Sequence, residues 1–309
     1  MPNRRILFAV RDPAAAARSG LAKTIQVARG LGASLELFHV LTDTLIVDLS
    51  RFEHDADALR ERVEEEARVP LARMCAAARK HGVAAEFRID WDYPPHEAIV
   101  RRAQAIRADL IIADRHQGAR AWFITQTDFE LLRVSPLPVL LLKSPKPYRR
   151  PRLLAAVDPS HAHAKSARLD TRILAAATQL STGLRGSLHV AHANHPSIVG
   201  LNVGAAANRA ATTWSTPSFA ELKEQGRAAF EEFLAGAGVP RKRTHLLDGN
   251  PVKVIPALAK KIDAGIVVMG AVSRSGLERV FIGNTAERVL NALPCDVLVV
   301  RSRAVESRR

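Results

Sequence analysis

Cysteine, aromatic residues and long apolar runs are all scarce in this chain of 309 residues. Its two cysteines, Cys75 and Cys295, are too few to suggest a disulfide framework, so we expect both thiols to be buried core residues. No apolar run reaches the roughly 18 residues that cross a bilayer. The opening residues, Met-Pro-Asn-Arg-Arg, lack the apolar region of a signal peptide. The sequence therefore predicts a cytoplasmic protein without a membrane segment.

Acidic residues are outnumbered by basic ones, 31 against 45, which gives a formal net charge of +14. Such an excess favours anionic ligands or polyanionic partners through long-range attraction. The dense basic clusters are residues 143–152 and 301–309, and neither is regularly interleaved with aromatic side chains that could stack on bases. We expect a solvated, arginine-rich surface, and a nucleic-acid-associated basic protein is kept as the second alternative function.

Short apolar runs alternate with helical patterns along the chain, which indicates parallel sheets covered on both faces. The pattern occurs twice. The sequence Arg152-Leu-Leu-Ala-Ala-Val-Asp158-Pro159 repeats Arg5-Ile-Leu-Phe-Ala-Val-Arg-Asp12-Pro13, and a linker rich in proline and cations, residues 144–151, lies between the halves. We therefore predict two tandem doubly wound α/β domains, residues 1–146 and 151–303, each with a five-stranded parallel sheet flanked by helices. We expect them to pack as a pseudo-symmetric pair.

The longest helical pattern, residues 53–80, contains a proline. Proline removes one helical hydrogen bond and its ring crowds the preceding turn. The sequence therefore predicts that this helix kinks or breaks near Val69, just before Pro70.

One stretch of the second half, residues 267–290, passes from an apolar strand through a glycine-bearing loop into an amphipathic helix. A helix start aims backbone N–H groups and positive charge at anions, and glycine allows a close approach and a positive φ. The stretch therefore predicts a phosphate-binding loop, with Asn284 and Thr285 at the helix start. It matches neither the P-loop nor the dinucleotide fingerprint, and an ordinary strand-loop-helix turn is the alternative.

The first half lacks the glycines of that loop. It has Ala113 where the second half has Gly270, and Thr125-Gln126-Thr127 where the second half has Gly283-Asn284-Thr285. We therefore expect one binding domain and one degenerate domain, the first domain acting as a built-in dimer partner.

These features together resemble the universal stress proteins, in particular those with two tandem domains. The most specific match is residues 270–285, which follow the family's ATP-loop pattern of Gly, two residues, Gly, nine residues, then Gly and a small polar residue. Ser273 stands at the second glycine of that pattern, and Asn284 stands where many ATP-binding members have serine. Supporting matches are the aspartate after the first strand of each half and the Phe-His-Val that begins at Phe38.

The resemblance implies a fold of the adenine nucleotide alpha hydrolase type and a site for ATP in the second domain. It implies that Asp158 contacts the nucleotide, that Ala193 borders the adenine, and that the loop holds ribose and phosphates. The loop residues concerned are Gly270, Ser273, Gly276, Gly283, Asn284 and Thr285.

Histidines of the second half suggest a different ligand. They are His161, His163, His189, His192 and His195. In a parallel sheet the two groups stand at neighbouring carboxyl ends, where with Asp158 they could converge on a zinc ion, although their separation is not a recognised metal spacing. Residues 194–217 form a long loop of the kind that covers pockets, and an apolar ligand such as an acyl chain would fit beneath it. A metal- or lipid-ligand stress protein is therefore the first alternative.

Catalysis has little support in the residues. No Gly-x-Ser-x-Gly elbow occurs, and nothing marks Ser273 or Ser275 as an activated nucleophile. We predict a regulatory stress-response protein that binds ATP, with Mg²⁺ as the accompanying ion, or a similar small anion. Slow ATP hydrolysis and a homodimer of whole chains are left open.

Overall fold

The computed structural model describes residues 4–14, 20–42, 56–114, 126–144, 146–160, 168–195, 218–271 and 284–301. The first domain consists of β1 (Arg4–Ala9), α1 (Gly20–Leu31), β2 (Ala33–Leu41), α2 (Ala56–Lys80), β3 (Ala85–Trp91), α3 (Pro95–Ala105), β4 (Leu110–Ala113), α4 (Gln126–Val134) and β5 (Val139–Leu141). The second domain consists of β6 (Arg152–Val157), α5 (Arg168–Gly183), β7 (Ser187–Asn194), α6 (Phe219–Ala235), a 3-10 turn (Arg241–Arg243), β8 (Thr244–Asp248), α7 (Pro251–Lys261), β9 (Ala264–Ala271), α8 (Asn284–Ala292) and β10 (Asp296–Arg301).

The strands form one sheet of ten, in the order β3-β2-β1-β4-β5-β10-β9-β6-β7-β8. Strands within each domain are parallel, and the two domains join edge to edge through the antiparallel pair β5 and β10. This confirms the predicted α/β fold class, and it adds that the two five-stranded sheets are continuous.

Helices cover both faces of the sheet. Apolar residues of α1, α2, α5 and α6 pack on one face, and those of α3, α4, α7 and α8 pack on the other. Because both faces are covered, central strands such as β4 and β10 are buried at every residue. Both cysteines are buried free thiols, as expected. Among the described helices none combines the length and apolar character that a membrane crossing requires.

The break predicted near Val69 does not occur. The helix α2 runs through Pro70 as one element of 25 residues. An internal proline costs a helix about 3 kcal/mol, but Leu71, Met74 and Ala78 immediately after it are almost completely buried against the sheet. Burial of this apolar stripe outweighs the lost hydrogen bond.

A buried charged cluster joins the two domains and the linker at Asp296, the first residue of β10. Its carboxylate accepts hydrogen bonds from Lys23 Nζ and Tyr148 Oη, both at 2.5 Å, and from the backbone N–H groups of Lys143 and Ser144 at 2.9 and 2.8 Å. Lys23 belongs to the first domain and also lies over the Tyr148 ring, 4.8 Å from its centroid. Burial, and then the Asp296 carboxylate, raise the pKa of Tyr148 well above its ordinary value. We call these residues the Asp296 cluster.

Helices α1 and α5 cross at a pair of glycines, one from each domain. A Cβ atom added to Gly30 would lie 2.6 Å from the Gly183 carbonyl oxygen, and one added to Gly183 would lie 2.6 Å from the Gly30 carbonyl oxygen. The reciprocal contact agrees with the predicted pseudo-symmetric packing. Because Gly30 and Gly183 make the same contact, they are equivalent positions, and the other residues of α1 and α5 can be matched by counting from them.

Candidate functional site

The carboxyl ends of β6, β7 and β9 lie side by side at one edge of the second domain. Pairing aligns Val157 with His192 and Ala156 with Met269. Asp158, which follows β6, therefore lies near Ala193 of β7 and Gly270 of β9. Such an edge of an open α/β sheet is where ligands bind. The helix α8 follows β9 and begins at Asn284, which places Thr285 in its first turn at the same edge.

Asp158 is fixed through its backbone and its side chain. Its backbone N–H donates to Asp170 Oδ1 of α5 at 2.9 Å, and its own Oδ1 accepts from Ser160 Oγ at 3.2 Å. His192 Nδ1 lies 3.7 Å from Asp158 Oδ1. The carboxylate is 26% exposed, so it is positioned by the protein and still open to solvent.

His192 ties the ends of two strands together. Its Nδ1 lies 3.3 Å from the Val157 carbonyl oxygen, and its ring packs beside Phe230. The first domain repeats the contact, since His39 Nδ1 lies 2.9 Å from the Val10 carbonyl oxygen. A neutral imidazole can donate its Nδ1–H to a carbonyl oxygen, so this contact does not require a protonated ring. Burial favours the neutral form of His39 further, because it lowers the pKa of this histidine.

The predicted convergence of histidines does not form around His192. His189 and His192 are on one continuous strand with two residues between them, so their side chains face opposite sides of the sheet. His189 instead stacks on His245, with 3.0 Å between its Nδ1 and His245 Nε2. His161 and His163 lie outside the described residues. Within the described ranges no group of three or more potential ligands is arranged to hold a metal ion.

Gly270 lies in the strand β9 and not in the loop that follows it, and its φ is not in the left-handed region. A Cβ atom there would lie 2.8 Å from Leu169 Cδ2 and 3.0 Å from Ile173 Cδ1, both on α5. The absence of a side chain at Gly270 therefore leaves room for the close packing of α5. This corrects the expectation that Gly270 supplies a positive φ to the loop.

The counterpart of Gly270 in the first domain is Asp114 and not Ala113. Pairing aligns Ala9 with Ala113 and, in the second domain, Ala156 with Met269, so the next residue of each strand corresponds. Asp114 is buried, and a Cβ atom on Gly20 of α1 would overlap its carboxylate.

The two domains fill this space in opposite ways. Gly20 and Ile173 correspond, because each lies ten residues before the glycine at the helix crossing, Gly30 or Gly183. In the first domain the glycine is on the helix (Gly20) and the larger residue, Asp114, directly follows the strand. In the second domain the glycine is on the strand (Gly270) and the larger residue, Ile173, is on the helix.

The helix starts at this edge differ in the position of their acidic residue, Asp128 in α4 and Glu287 in α8. In the first domain Asp128, in the first turn of α4, accepts a hydrogen bond from Arg11 Nη2 at 2.7 Å. The residue at the same position of α8 is Ala286. Glu287, the acidic residue beside it, pairs with Arg133 of the first domain at 2.8 Å. A carboxylate near a helix N-terminus is stabilising. The carboxylate of α4 pairs with an arginine of its own domain, whereas that of α8 pairs with an arginine of the other domain.

Four of the eight predicted site residues are thus at one edge of the second domain: Asp158, Ala193, Gly270 and Thr285. Asn284 begins α8, and Ser273, Gly276 and Gly283 lie outside the described residues, as does most of the long loop. The pair of Arg11 and Asp128 was not predicted from the sequence. The sequence does show that the first half has one more residue, Arg11, between its first strand and Asp12, whereas the second half goes directly from Val157 to Asp158.

Comparison with known proteins agrees with this architecture. The model of the universal stress protein family matches residues 2–143 and again residues 151–301. The chain belongs to the universal stress protein family. It has two tandem copies of the family's domain, as the sequence predicted.

Individual relatives match over most of the chain. Universal stress protein E of Photorhabdus laumondii is 24% identical over 316 residues, covering 99% of this chain and 98% of that protein. Universal stress protein E of Escherichia coli K12 is 31% identical over 233 residues, covering 71% of this chain and 69% of that protein. A solved structure of a functionally unknown protein from Pseudomonas aeruginosa PAO1 is 26% identical, with a TM-score of 0.70 over 98% of this chain and 94% of that chain.

One solved universal stress protein, from Archaeoglobus fulgidus, is in complex with dAMP. Binding of an adenine nucleotide therefore occurs in this family. That structure is 21% identical to this chain, covers 46% of it and 98% of its own length, and has a TM-score of 0.34, so it carries no argument about this site.

Proposed function

We propose that this stress protein binds an adenine nucleotide, ATP with Mg²⁺, or a similar small anion at the carboxyl edge of the second domain, in a regulatory role. The first domain, residues 1–146, serves as the built-in partner of the second, residues 151–303, and the protein works in the cytoplasm.

The difference between the two helix starts carries the proposal. Asp128 is a built-in anion at the start of α4, and Arg11 neutralises it. The second domain has Ala286 at that position and has no extra arginine after β6. The N–H groups and dipole at the start of α8 favour an anion. Glu287, the acidic residue in the first turn of α8, is paired with Arg133 of the first domain, so a phosphate group would occupy the place at Ala286 that the Asp128 carboxylate occupies in the first domain.

Asp158 suits another part of the same ligand. A carboxylate only accepts hydrogen bonds and repels phosphate, so its partners would be hydroxyl or amino groups of a nucleoside. A nucleotide lying across the edge would place its nucleoside near Asp158 and Ala193 and its phosphates at α8. This orientation agrees with the roles that the family resemblance implies.

A binding role without catalysis is supported by the contacts of His192. It is 1% exposed, and its Nδ1 faces the Val157 carbonyl oxygen. A general base must reach the proton that it abstracts, and a ring held in this position serves the strands instead.

The experiment is calorimetric titration of the nucleotide-stripped protein with ATP and Mg²⁺. We expect about one ATP per chain, and we expect Gly283→Val to abolish binding without changing the fold. The matched control is Gly236→Val, because Gly236 follows α6 with φ −99° and has open space around its Cβ position. No heat and an unshifted melting temperature with the wild type would contradict the proposal, as would unchanged affinity in Gly283→Val.

A further inference from the structure

A second concave site lies at the opposite edge of the second domain, under the linker. It is a cavity of about 980 Å³ at the amino ends of β6, β7, β9 and β10. The candidate nucleotide site is at the carboxyl ends of the same sheet. We call the cavity the linker pocket.

Cations dominate the lining of the linker pocket. One of them, Lys23, is paired with Asp296. The others are Lys146, Arg149, Arg150, Arg152 and Arg185, and the acidic residue of the lining is Asp263. Arg152 donates to the Ile262 carbonyl oxygen at 3.0 Å and lies 3.9 Å from Asp263. The side chains of the other four cations make no hydrogen bond or ion pair within the described part of the chain. Several like charges held around one concavity repel each other unless an anion joins them.

Two of these arginines stand in a backbone conformation that favours glycine. Arg150 has φ 48° and Arg185 has φ 52°. The counterpart of Arg185, two residues after the glycine of the helix crossing, is Gly32 with φ 63°. A residue with a side chain pays strain in this region that glycine avoids. A cation after a helix is favourable, which would account for Arg185, but Arg150 lies in the linker and follows no helix.

The first domain differs in charge at the corresponding edge. Pairing of β1 with β4 and of β6 with β9 aligns Leu110 with Ile266, so Asp109 corresponds to Gly265. The Asp109 carboxylate accepts a hydrogen bond from the Arg5 backbone N–H at 2.9 Å. The first domain thus has an acidic group where the second has a glycine in the pocket wall.

We propose that the linker pocket binds a compact oligophosphate, a short chain of phosphate groups that is either inorganic or carried on a nucleoside. Guanidinium groups pair with phosphate oxygens through two parallel hydrogen bonds, and a short chain brings several such groups into one concavity. Single-stranded nucleic acid fits less well, because sites that bind it stack the bases on aromatic side chains. Tyr148, the aromatic residue of the described lining, is buried and bonded to Asp296.

The test is calorimetric titration with sodium tripolyphosphate at low salt. We expect one site per chain, and we expect Arg150→Gly with Arg185→Gly to weaken binding at least about tenfold, since a tenfold loss is about 1.4 kcal/mol of pairing. Glycine suits both φ values, so this double variant keeps the fold. The matched control is Arg73→Ala with Arg107→Gly, which removes two exposed arginines of the first domain, one of them at φ 53°. We expect the control to change affinity less than about twofold.

Further titrations identify the ligand and the place. Equal losses in the two double variants, or no binding by the wild type, would overturn the proposal. Loss of tripolyphosphate binding in Gly283→Val, with binding kept in the arginine variant, would assign the anion to the nucleotide site and overturn it too. In Gly283→Val, where the nucleotide site is expected to be lost, tighter binding of adenosine tetraphosphate than of inorganic tetrapolyphosphate would support a nucleoside-borne chain, and equal binding would support an inorganic one. Tighter binding of a single-stranded DNA oligomer would overturn the assignment to a compact anion.

Discussion

The two domains keep the same histidine at the carboxyl ends of their strands but place different charges around it. His39 and His192 each lie against a backbone carbonyl at the carboxyl end of the first strand of their domain, at 2.9 and 3.3 Å. Beyond this shared contact, the first domain has the ion pair of Arg11 with Asp128 and the buried Asp114. The second domain has Ala286 and Gly270 at the corresponding positions. A repeated scaffold therefore carries different charges at its two edges, and this difference is the basis of the proposed anion site in the second domain.

The largest effect is expected from a substitution that disrupts the Asp296 cluster between the two domains. Asp296→Ala leaves the buried Lys23 without its carboxylate, and removing one partner of a buried ion pair costs about 3–5 kcal/mol. Urea denaturation measures the free energy of unfolding. Asp263→Asn is the control, because this side chain is 98% exposed, asparagine tolerates the φ of 49° at this position, and the change should matter by less than about 0.5 kcal/mol. A loss below about 1 kcal/mol in Asp296→Ala would show that the cluster does not hold the domains.

A smaller effect is expected at the glycine crossing. Gly30→Ala or Gly183→Ala places a methyl group 2.6 Å from a backbone carbonyl oxygen of the other domain. Overpacking of this kind costs about 1–3 kcal/mol, measured by the same denaturation. Gly236→Ala has open space around it and should be nearly neutral. Equal stability of all three variants would argue against close contact between α1 and α5.

The exchange of glycine and bulk between strand and helix predicts a coupled pair. Gly270→Ala should destabilise by about 1 kcal/mol, since its methyl group meets flexible side chains that yield in part. Combining it with Ile173→Ala should cost less than the sum of the single changes, because the shortened helix side chain makes room for the methyl group. A double-mutant cycle measures this coupling. Strict additivity would mean that the two positions do not share the space.

The smallest effect concerns pH. Burial lowers the pKa of His39, so below the ordinary histidine pKa of about 6.5 the unfolded chain binds more protons than the folded one. Stability should therefore fall as pH drops from 7 to 5. His39→Asn, which keeps a donor for the Val10 carbonyl oxygen, should reduce that dependence in denaturation curves at several pH values. If the pH dependence of the free energy of unfolding is the same in His39→Asn as in the wild type, other titrating groups cause it.

The sequence predicted the layers well because the central strands, such as β4, β5 and β10, are apolar runs buried at every residue. The repeat predicted the pairing of domains for the same reason. Contacts between residues far apart in the chain could not be predicted from the sequence. Arg11 and Asp128 are 117 residues apart, and Lys23 and Asp296 are 273 apart, so only the folded sheet brings them together. The true counterpart of Gly270 was missed because similar apolar residues align in more than one register, and backbone pairing decides between them.

The most direct test of the contrast between the domains is to give the second domain the carboxylate of the first. Ala286→Asp places that group in the first turn of α8, and Ala292→Asp, at the exposed end of the same helix, is the matched control. Binding of ATP and Mg²⁺ is measured by calorimetry in both variants and in the wild type. The account predicts at least about a tenfold loss of affinity, or about 1.4 kcal/mol, in Ala286→Asp and little change in Ala292→Asp. Equal affinities in the two variants would contradict it.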